Sequence, residues 1–178
     1  MSENSDRSAR IAESFKRRID SSAFFEAFVG AQLTRCGLHV HLFPATLAKE
    51  IGVSLSYYAN TYDLEVSADG SLFTPVEVKS SSMTFSYPNS YPHLGVLVCS
   101  EASWNKKWPG KTDTQRDFLL VSRASGGIVW LPKGSTAKVV PIKDKTRNET
   151  YGCFATHKSS LKSFSEFVGN IKGEPWEK

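Results

Sequence analysis

The chain has 178 residues, of which 40% are hydrophobic and 12% aromatic, and a net charge of +4. This composition favours one globular domain over residues 1–178 and argues against a disordered chain. No apolar run reaches the ~18–20 residues of a membrane span, and the polar start has no apolar core of an export signal, so we expect no membrane contact. Three widely spaced cysteines, Cys36, Cys99 and Cys153, argue against a disulfide framework or a zinc knuckle and favour the reducing cytoplasm.

Two helices are predicted before the first strand. Residues 1–20 form a polar helix or arm rich in basic groups, either a solvated surface or a phosphate-binding segment. Residues 20–37 form a clearer helix, with Ser21 or Ser22 as its N-cap and Gly37 as its C-cap. Its apolar residues cover more than one stripe, so we expect a largely buried helix. Glu26 lies within this apolar run, where a carboxylate must be paired, protonated or bound to a metal.

The middle of the chain is typical of strands. Residues 38–44 predict a strand that ends at Pro44, while residues 45–61 are ambiguous between a short helix, a loop and an irregular strand. Two alternating segments within residues 62–82 flank Asp69-Gly70, which predicts a β-hairpin with a two-residue turn. The nearly continuous apolar run at residues 93–100 predicts a central buried strand.

The last third of the chain continues with strands and ends with a helix. Residues 103–111 predict a loop, and residues 116–123 and 127–132 predict two further strands. Residues 135–143 predict an edge strand, because Pro141 would interrupt a central ladder. Residues 157–172 form an amphipathic helix that Ser159 or Ser160 can cap. The order of elements indicates a mixed α/β or α+β domain whose sheet is flanked by helices.

Three acids and a lysine share one face of the predicted hairpin: Asp63, Glu65, Glu77 and Lys79. Pairing about Asp69-Gly70 brings Tyr62 or Asp63 opposite Glu77 or Val76, so we expect Asp63 to lie beside Glu77. Adjacent carboxylates repel unless a cation lies between them, and hard oxygen ligands in a half-open pocket suit Mg²⁺. Lys79 could orient or deprotonate a water, or neutralise charge on a phosphate. Glu65 could replace Asp63 as a ligand, or pair with Lys79 or another base.

Asp63, thirteen residues and then Glu77-Val78-Lys79 resemble the PD-(D/E)XK nuclease superfamily. The resemblance covers roughly residues 20–125 and implies an α/β, restriction-endonuclease-like fold, with a central mixed β-sheet flanked by α-helices. It implies a Mg²⁺-dependent DNA endonuclease, in which Mn²⁺ can substitute, with Asp63 and Glu77 as metal ligands. It also implies Glu26 as an additional ligand and Lys79 as the residue acting on water or the transition state. Small members of the superfamily often work as homodimers.

Several polar residues near the hairpin and the next strand are candidate nucleic-acid contacts: Ser80, Ser81, Lys106, Lys107, Lys111 and Gln115. Trp104 and Trp108, interleaved with these lysines, could stack on bases or fill the core. His39 and His41 share the spacing of zinc ligands, but no third ligand is near them in sequence. The alternative function is a catalytically inactive nuclease-fold protein that binds nucleic acid or a protein partner.

Overall fold

Three α-helices and nine β-strands make up the part of the chain that this computed structural model describes, residues 22–42, 62–144 and 148–174. In chain order they are α1 (residues 22–35), β1 (His39–Leu42), β2 (Leu64–Ser67), β3 (Thr74–Ser81), β4 (Gly95–Ser100), α2 (Glu101–Lys107), β5 (Asp117–Ser122), β6 (Ile128–Leu131), β7 (Ala137–Asp144), β8 (Glu149–His157), β9 (Lys162–Ser163) and α3 (Phe164–Lys172). The N-terminal arm expected at residues 1–20 and the ambiguous segment 45–61 lie outside the described residues. No helix among those described is long and apolar enough to cross a membrane.

The strands form a mixed six-stranded sheet in the order β1-β2-β3-β5-β6-β9 and a second, three-stranded sheet in the order β4-β8-β7. Within the larger sheet β3 and β5 are parallel, and the other neighbours are antiparallel. All six residues of β5 are buried, as expected for a central strand. The α/β class and the mixed sheet predicted from the sequence are therefore confirmed.

The second sheet was not predicted, and it corrects the interpretation of residues 93–100. The strand β4 lies at the edge of this antiparallel sheet and not at the centre of the main one. Its burial alternates, with Val96 and Val98 inside and Leu97 40% exposed. An apolar run can therefore be half-buried, because antiparallel sheets tolerate one exposed face. The predicted edge strand, β7, does lie at the other edge of this sheet.

Two hydrophobic clusters lie on opposite faces of the main sheet, because side chains alternate along a strand. On β5, Leu119 and Val121 belong to the cluster that contains residues of α1 and α3. Phe118 and Leu120 belong to the other cluster, which contains residues of α2 and the second sheet. The central sheet therefore lies between a helical layer and a mixed layer.

The same alternation positions the charged residues of β3. Val76 and Val78 belong to the cluster on the α1 side. Glu77 and Lys79 consequently project to the opposite face, where Trp104 of α2 lies in the second cluster.

The helix α1 is amphipathic and not largely buried, which corrects the sequence prediction. Its buried stripe is Glu26, Val29, Gly30 and Leu33, whereas Phe24 is 64% exposed. The apolar residues outside this stripe remain exposed or half-buried, because only one face of the helix packs on the sheet. Gly37 follows the helix with φ of +79°, as expected for a C-cap glycine.

The other two helices also differ from the sequence prediction. Residues 103–107, expected as part of the loop 103–111, belong to α2, whose first turn is capped by the Ser100 side chain, which accepts a hydrogen bond from Ser103 N. The C-terminal helix begins at Phe164 and not at residue 157. Ser163 and Glu166 form a capping box there, and Lys158–Ser160 form a short 3₁₀ turn instead.

Candidate active site

The hairpin that carries the site is antiparallel, as predicted, but its register differs by one residue from the one that a two-residue turn at Asp69-Gly70 gives. Leu64 pairs with Val76 and Val66 with Thr74, in antiparallel strands. Beyond Leu64 the pairing becomes irregular, since Asp63 N donates to Val76 O at 3.1 Å and Asp63 Oδ2 accepts from Val78 N at 2.7 Å. Asp63 therefore lies against the segment 76–78 of β3, close enough for the charge of Glu77 to raise its pKa.

The connection of the hairpin is longer than the predicted two-residue turn. Residues 68–73 lie between the two strands. The Asp69 carboxylate accepts hydrogen bonds from Ser71 N at 2.9 Å and from Ser71 Oγ, and Gly70 adopts φ of +80°. These side chain–backbone bonds stabilise a wider loop in place of a tight turn.

Asp63 carries a partly buried carboxylate whose pKa is raised. Its Oδ2 accepts a hydrogen bond of 2.7 Å from Val78 N. Burial raises the pKa of Asp63 to about 7, and the negative charges of Glu77 and Glu26 contribute, against the opposing effect of Lys79. Near neutral pH both the neutral and the ionised form of this side chain are consequently populated, and a nearby cation would favour the ionised form.

Glu77 is 5% exposed and binds two ammonium groups. Lys79 Nζ donates to its Oε1 at 2.7 Å, and Lys107 Nζ lies 3.2 Å from Oε1 and 3.5 Å from Oε2. Burial on its own would raise the pKa of Glu77, but Lys79 and Lys107 outweigh it, so the pKa is lowered. Glu77 is therefore ionised at neutral pH.

Lys79 remains protonated in this arrangement. Burial on its own would lower the pKa of Lys79, yet the charges of Glu77 and Asp63 outweigh it and raise the pKa above its usual value. A lysine with a raised pKa is a poor base at neutral pH. Of the roles that the sequence left open, charge neutralisation and water orientation fit Lys79 better than deprotonation of a water.

Glu26 approaches the same site from α1. It is buried, and Ser22 Oγ donates a hydrogen bond of 2.6 Å to its Oε1. Burial raises the pKa of Glu26, while Ser22 and the charge of Lys79 lower it in part. Since Glu26 also raises the pKa of Asp63, the two carboxylates are electrostatically coupled. Glu26 is thus linked to the hairpin acids by charge, while its hydrogen-bond partner is Ser22 on its own helix.

Glu65 interacts with a different set of residues. It accepts a hydrogen bond from the Tyr62 hydroxyl and lies 3.6 Å from His41 Nδ1. The His41 ring also stacks on Phe73, with the ring centroids 4.2 Å apart. Glu65 therefore pairs with another base, one of the alternatives that the sequence left open, and Asp63 is the better candidate ligand.

The six candidate nucleic-acid contacts separate into two groups. Those with exposed side chains are Ser80, Lys106 and Lys111. The other three engage the protein itself. Ser81 Oγ accepts from Met83 N, Gln115 Nε2 donates to Asp113 O, and Lys107 binds Glu77.

The two tryptophans belong to the protein interior. Trp104 is fully buried, stacks on Phe154 at 4.2 Å, and donates a hydrogen bond from Nε1 to Lys111 O at 2.8 Å. Trp108 packs partly buried against the same cluster. The guanidinium of Arg116 lies 5.8 Å from the Trp108 ring centroid and 5.5 Å from that of Tyr62, so it connects the segments that precede Asp63 and follow Lys107.

The contact between Lys107 and Glu77 was missed in the sequence, although a signal for it existed. Lys107 follows Trp104 by three residues, and residues three apart share one face of a helix. A helical interpretation of residues 101–107 would have turned Lys107 inward with Trp104 and left Lys106 outside. The prediction of a loop there concealed this relationship.

The donor set is compatible with a hard divalent cation. Asp63, Glu77 and Glu26 supply carboxylate oxygens, and the raised pKa of Asp63 shows that its ionised form is under-compensated. Across residues 22–42, 62–144 and 148–174, however, no three His, Cys, Asp or Glu side chains are grouped closely enough to form a preassembled metal site. Mg²⁺ usually takes one or two protein carboxylates and keeps several waters, which is the number that Asp63 and Glu77 provide.

Compared with family models, curated proteins and solved structures, the chain gives no significant match.

Proposed function

We propose that the protein is a Mg²⁺-dependent endonuclease that hydrolyses DNA phosphodiester bonds and has a restriction-endonuclease-like fold. One observation carries this proposal: the Asp63 carboxylate, held by Val78 N, lies close enough to Glu77 for the charge of Glu77 to raise its pKa, a cost that a cation would relieve, and Lys79 binds Glu77. The mixed sheet, with α1 and α3 on one face and α2 on the other, also agrees with the central mixed β-sheet flanked by α-helices that the resemblance implies.

A divalent cation held by Asp63 and Glu77, with Glu26 nearby, would polarise a phosphate oxygen and lower the pKa of a water. The Lys79 ammonium neutralises negative charge that develops on the phosphate, because its raised pKa keeps it protonated. The exposed side chains of Lys106 and Lys111 contact the flanking phosphates and position the strand.

The proposal also covers the metal that can replace Mg²⁺, the cellular compartment and the oligomeric state. Mn²⁺ substitutes for Mg²⁺, since both accept oxygen ligands. The three free thiols fit the reducing cytoplasm. A homodimer would supply the two sites that a double-strand cut requires.

The test is cleavage of supercoiled plasmid in Mg²⁺, Mn²⁺ or EDTA. We expect nicking or cutting that needs the metal and that Glu77→Gln and Lys79→Met each reduce by at least about a hundredfold. Glu65→Gln is the matched control, since it removes an acid from the same hairpin that pairs with His41. Undiminished cleavage by Lys79→Met, or equal loss in Glu65→Gln, would overturn the assignment.

One observation favours the alternative, an inactive nuclease-fold protein that binds nucleic acid or a protein partner. The charge of Glu77 is already balanced by two ammonium groups without any metal. If the purified protein binds DNA and leaves it intact in Mg²⁺ and Mn²⁺, across duplex, nicked and branched substrates, this second function replaces the first.

A further inference from the structure

Lys107 is the last residue of α2, and its ammonium contacts both oxygens of Glu77, at 3.2 Å and 3.5 Å. Lys79 donates to Oε1. If Lys107 left, Lys79 could keep Oε1 while Oε2 became accessible. The two lysines are therefore not equivalent partners of this carboxylate.

A divalent cation at Glu77 must compete with these ammonium groups, because ammonium and cation both bind the same carboxylate oxygens. Lys79 lies two residues from Glu77 on the same strand face, so it stays close whatever else binds. Lys107 is held only by the end of a short helix, and Pro109 and Gly110 follow soon after it. Its departure costs less backbone rearrangement than that of Lys79.

Lys107 also has an alternative environment nearby. Its Nζ lies 5.7 Å from the centroid of the Trp108 ring, close enough for a cation–π contact, and its side chain is 22% exposed. A small rotation of the four-carbon side chain would move the ammonium toward this ring and toward solvent. The ion pair with Glu77 can therefore open without unfolding α2.

We propose that Lys107 is a positioning residue that competes with the divalent cation for Glu77, holding this carboxylate in the metal-free protein and leaving its Oε2 when a cation binds. The inference rests on the proposed function, since it takes the pair Asp63 and Glu77 as the cation site. It goes beyond that function by assigning to α2 control over how tightly the cation is held.

The test is isothermal titration of the full chain with Mn²⁺ in the absence of nucleic acid. Lys107→Gln is expected to bind Mn²⁺ about tenfold more tightly, the equivalent of removing one charge-assisted contact from the competing carboxylate. Lys107→Arg keeps the counter-ion and retains the wild-type affinity. Lys106→Gln is the matched control, since it removes the same charge from an exposed neighbour on the same helix and should leave the affinity within about twofold.

The outcomes separate the competition from the proposed function. Mn²⁺ affinity that is unchanged or weaker in Lys107→Gln, equal tightening in Lys106→Gln, or no Mn²⁺ binding by any variant would each overturn the competition. If Lys107→Gln binds Mn²⁺ more tightly but the protein cleaves no DNA, the competition between Lys107 and the cation is supported and the proposed nuclease activity is wrong. Lys107→Met, which keeps the aliphatic stem, replaces Lys107→Gln if circular dichroism shows that the latter does not fold.

Discussion

The Asp63 carboxylate accepts a hydrogen bond of 2.7 Å from the backbone N–H of Val78, the residue between Glu77 and Lys79. One acid of the site is thus anchored to the strand that carries the other acid and the lysine. This bond lowers the pKa of Asp63, but burial and the charge of Glu77 outweigh it and leave the pKa at about 7. The fold therefore holds a carboxylate where its ionised form is unfavourable, as functional sites often do.

Replacing Asp63 by asparagine should stabilise the metal-free protein at alkaline pH. The folded-state pKa of Asp63 lies at about 7, above the ordinary value of 3.8, so wild-type stability falls as pH rises between these values. The amide oxygen of the new side chain would still accept from Val78 N and would carry no charge. We expect a gain of roughly 2–4 kcal/mol at pH 8 that vanishes near pH 4, measured by urea denaturation in EDTA. A loss of stability that is equal at both pH values would contradict this account of Asp63.

Replacing Glu77 by glutamine should instead destabilise the metal-free protein. The pKa of Glu77 is lowered, so its contribution is present above its ordinary pKa of 4.5 and is lost as pH falls through the lower folded-state value. Lys79 and Lys107 would lose their partner, but their side chains are partly exposed and part of the cost is screened. We expect a loss of about 2 kcal/mol at pH 7 in urea denaturation, shrinking as the pH is lowered below about 4.

The control for Glu77→Gln is Glu65→Gln. Glu65 pairs with His41, whose side chain is largely exposed, so its replacement should cost less than about 1 kcal/mol. Equal losses in the two variants would mean that the two ammonium groups add nothing to the stability of the hairpin.

Local signals in the sequence were enough to predict the hairpin part of the site. Alternation along β2 and β3 predicts which side chains share a face, so Asp63, Glu77 and Lys79 could be placed on one side of the hairpin, but the turn at Asp69 and Gly70 was predicted too short and gave a register one residue off. The strands β5 and β6 were predicted for the same reason, since their connection is short. Each of these inferences needed only residues close together in the chain.

The second sheet and α2 depend on contacts that are distant in the chain. The pairing of β4 with β8 joins Cys99 to Phe154, and the stacking of Trp104 on Phe154 stabilises α2. One sequence carries no signal for such partners. Pro109 and Gly110, which disfavour a helix, fall just after α2 and do not interrupt it. The contact from Lys107 to Glu77 depends on α2, so it could not be predicted once the helix was missed.

Replacing Glu26 by glutamine tests whether α1 supplies a metal ligand. The substitution keeps an oxygen that accepts from Ser22 Oγ and removes a buried charge whose pKa is raised by burial. We therefore expect the metal-free protein to be at least as stable as wild type, while Mn²⁺ affinity falls about tenfold in isothermal titration. Ser22→Ala is the control, since it removes the hydrogen bond and keeps the carboxylate. An Mn²⁺ affinity that survives Glu26→Gln would restrict the ligands to Asp63 and Glu77.

Replacing Lys111 by glutamine tests the contact between the α2 region and the DNA backbone. The Lys111 side chain is exposed, while its carbonyl accepts the Trp104 Nε1 hydrogen bond, so the substitution removes charge and leaves the fold intact. Binding to a duplex is measured in Ca²⁺ between about 50 and about 200 mM salt, where counterion release is resolved. We expect the slope of log affinity against log salt to become shallower by about 1, because one phosphate contact is lost. Lys143→Gln should leave the slope unchanged, since Lys143 is exposed and lies six residues along β7 from Ala137, whose N–H donates to Thr112 O beside Lys111. If Lys143→Gln and Lys111→Gln change the slope equally, the positive charge acts through the whole surface and Lys111 does not contact a phosphate.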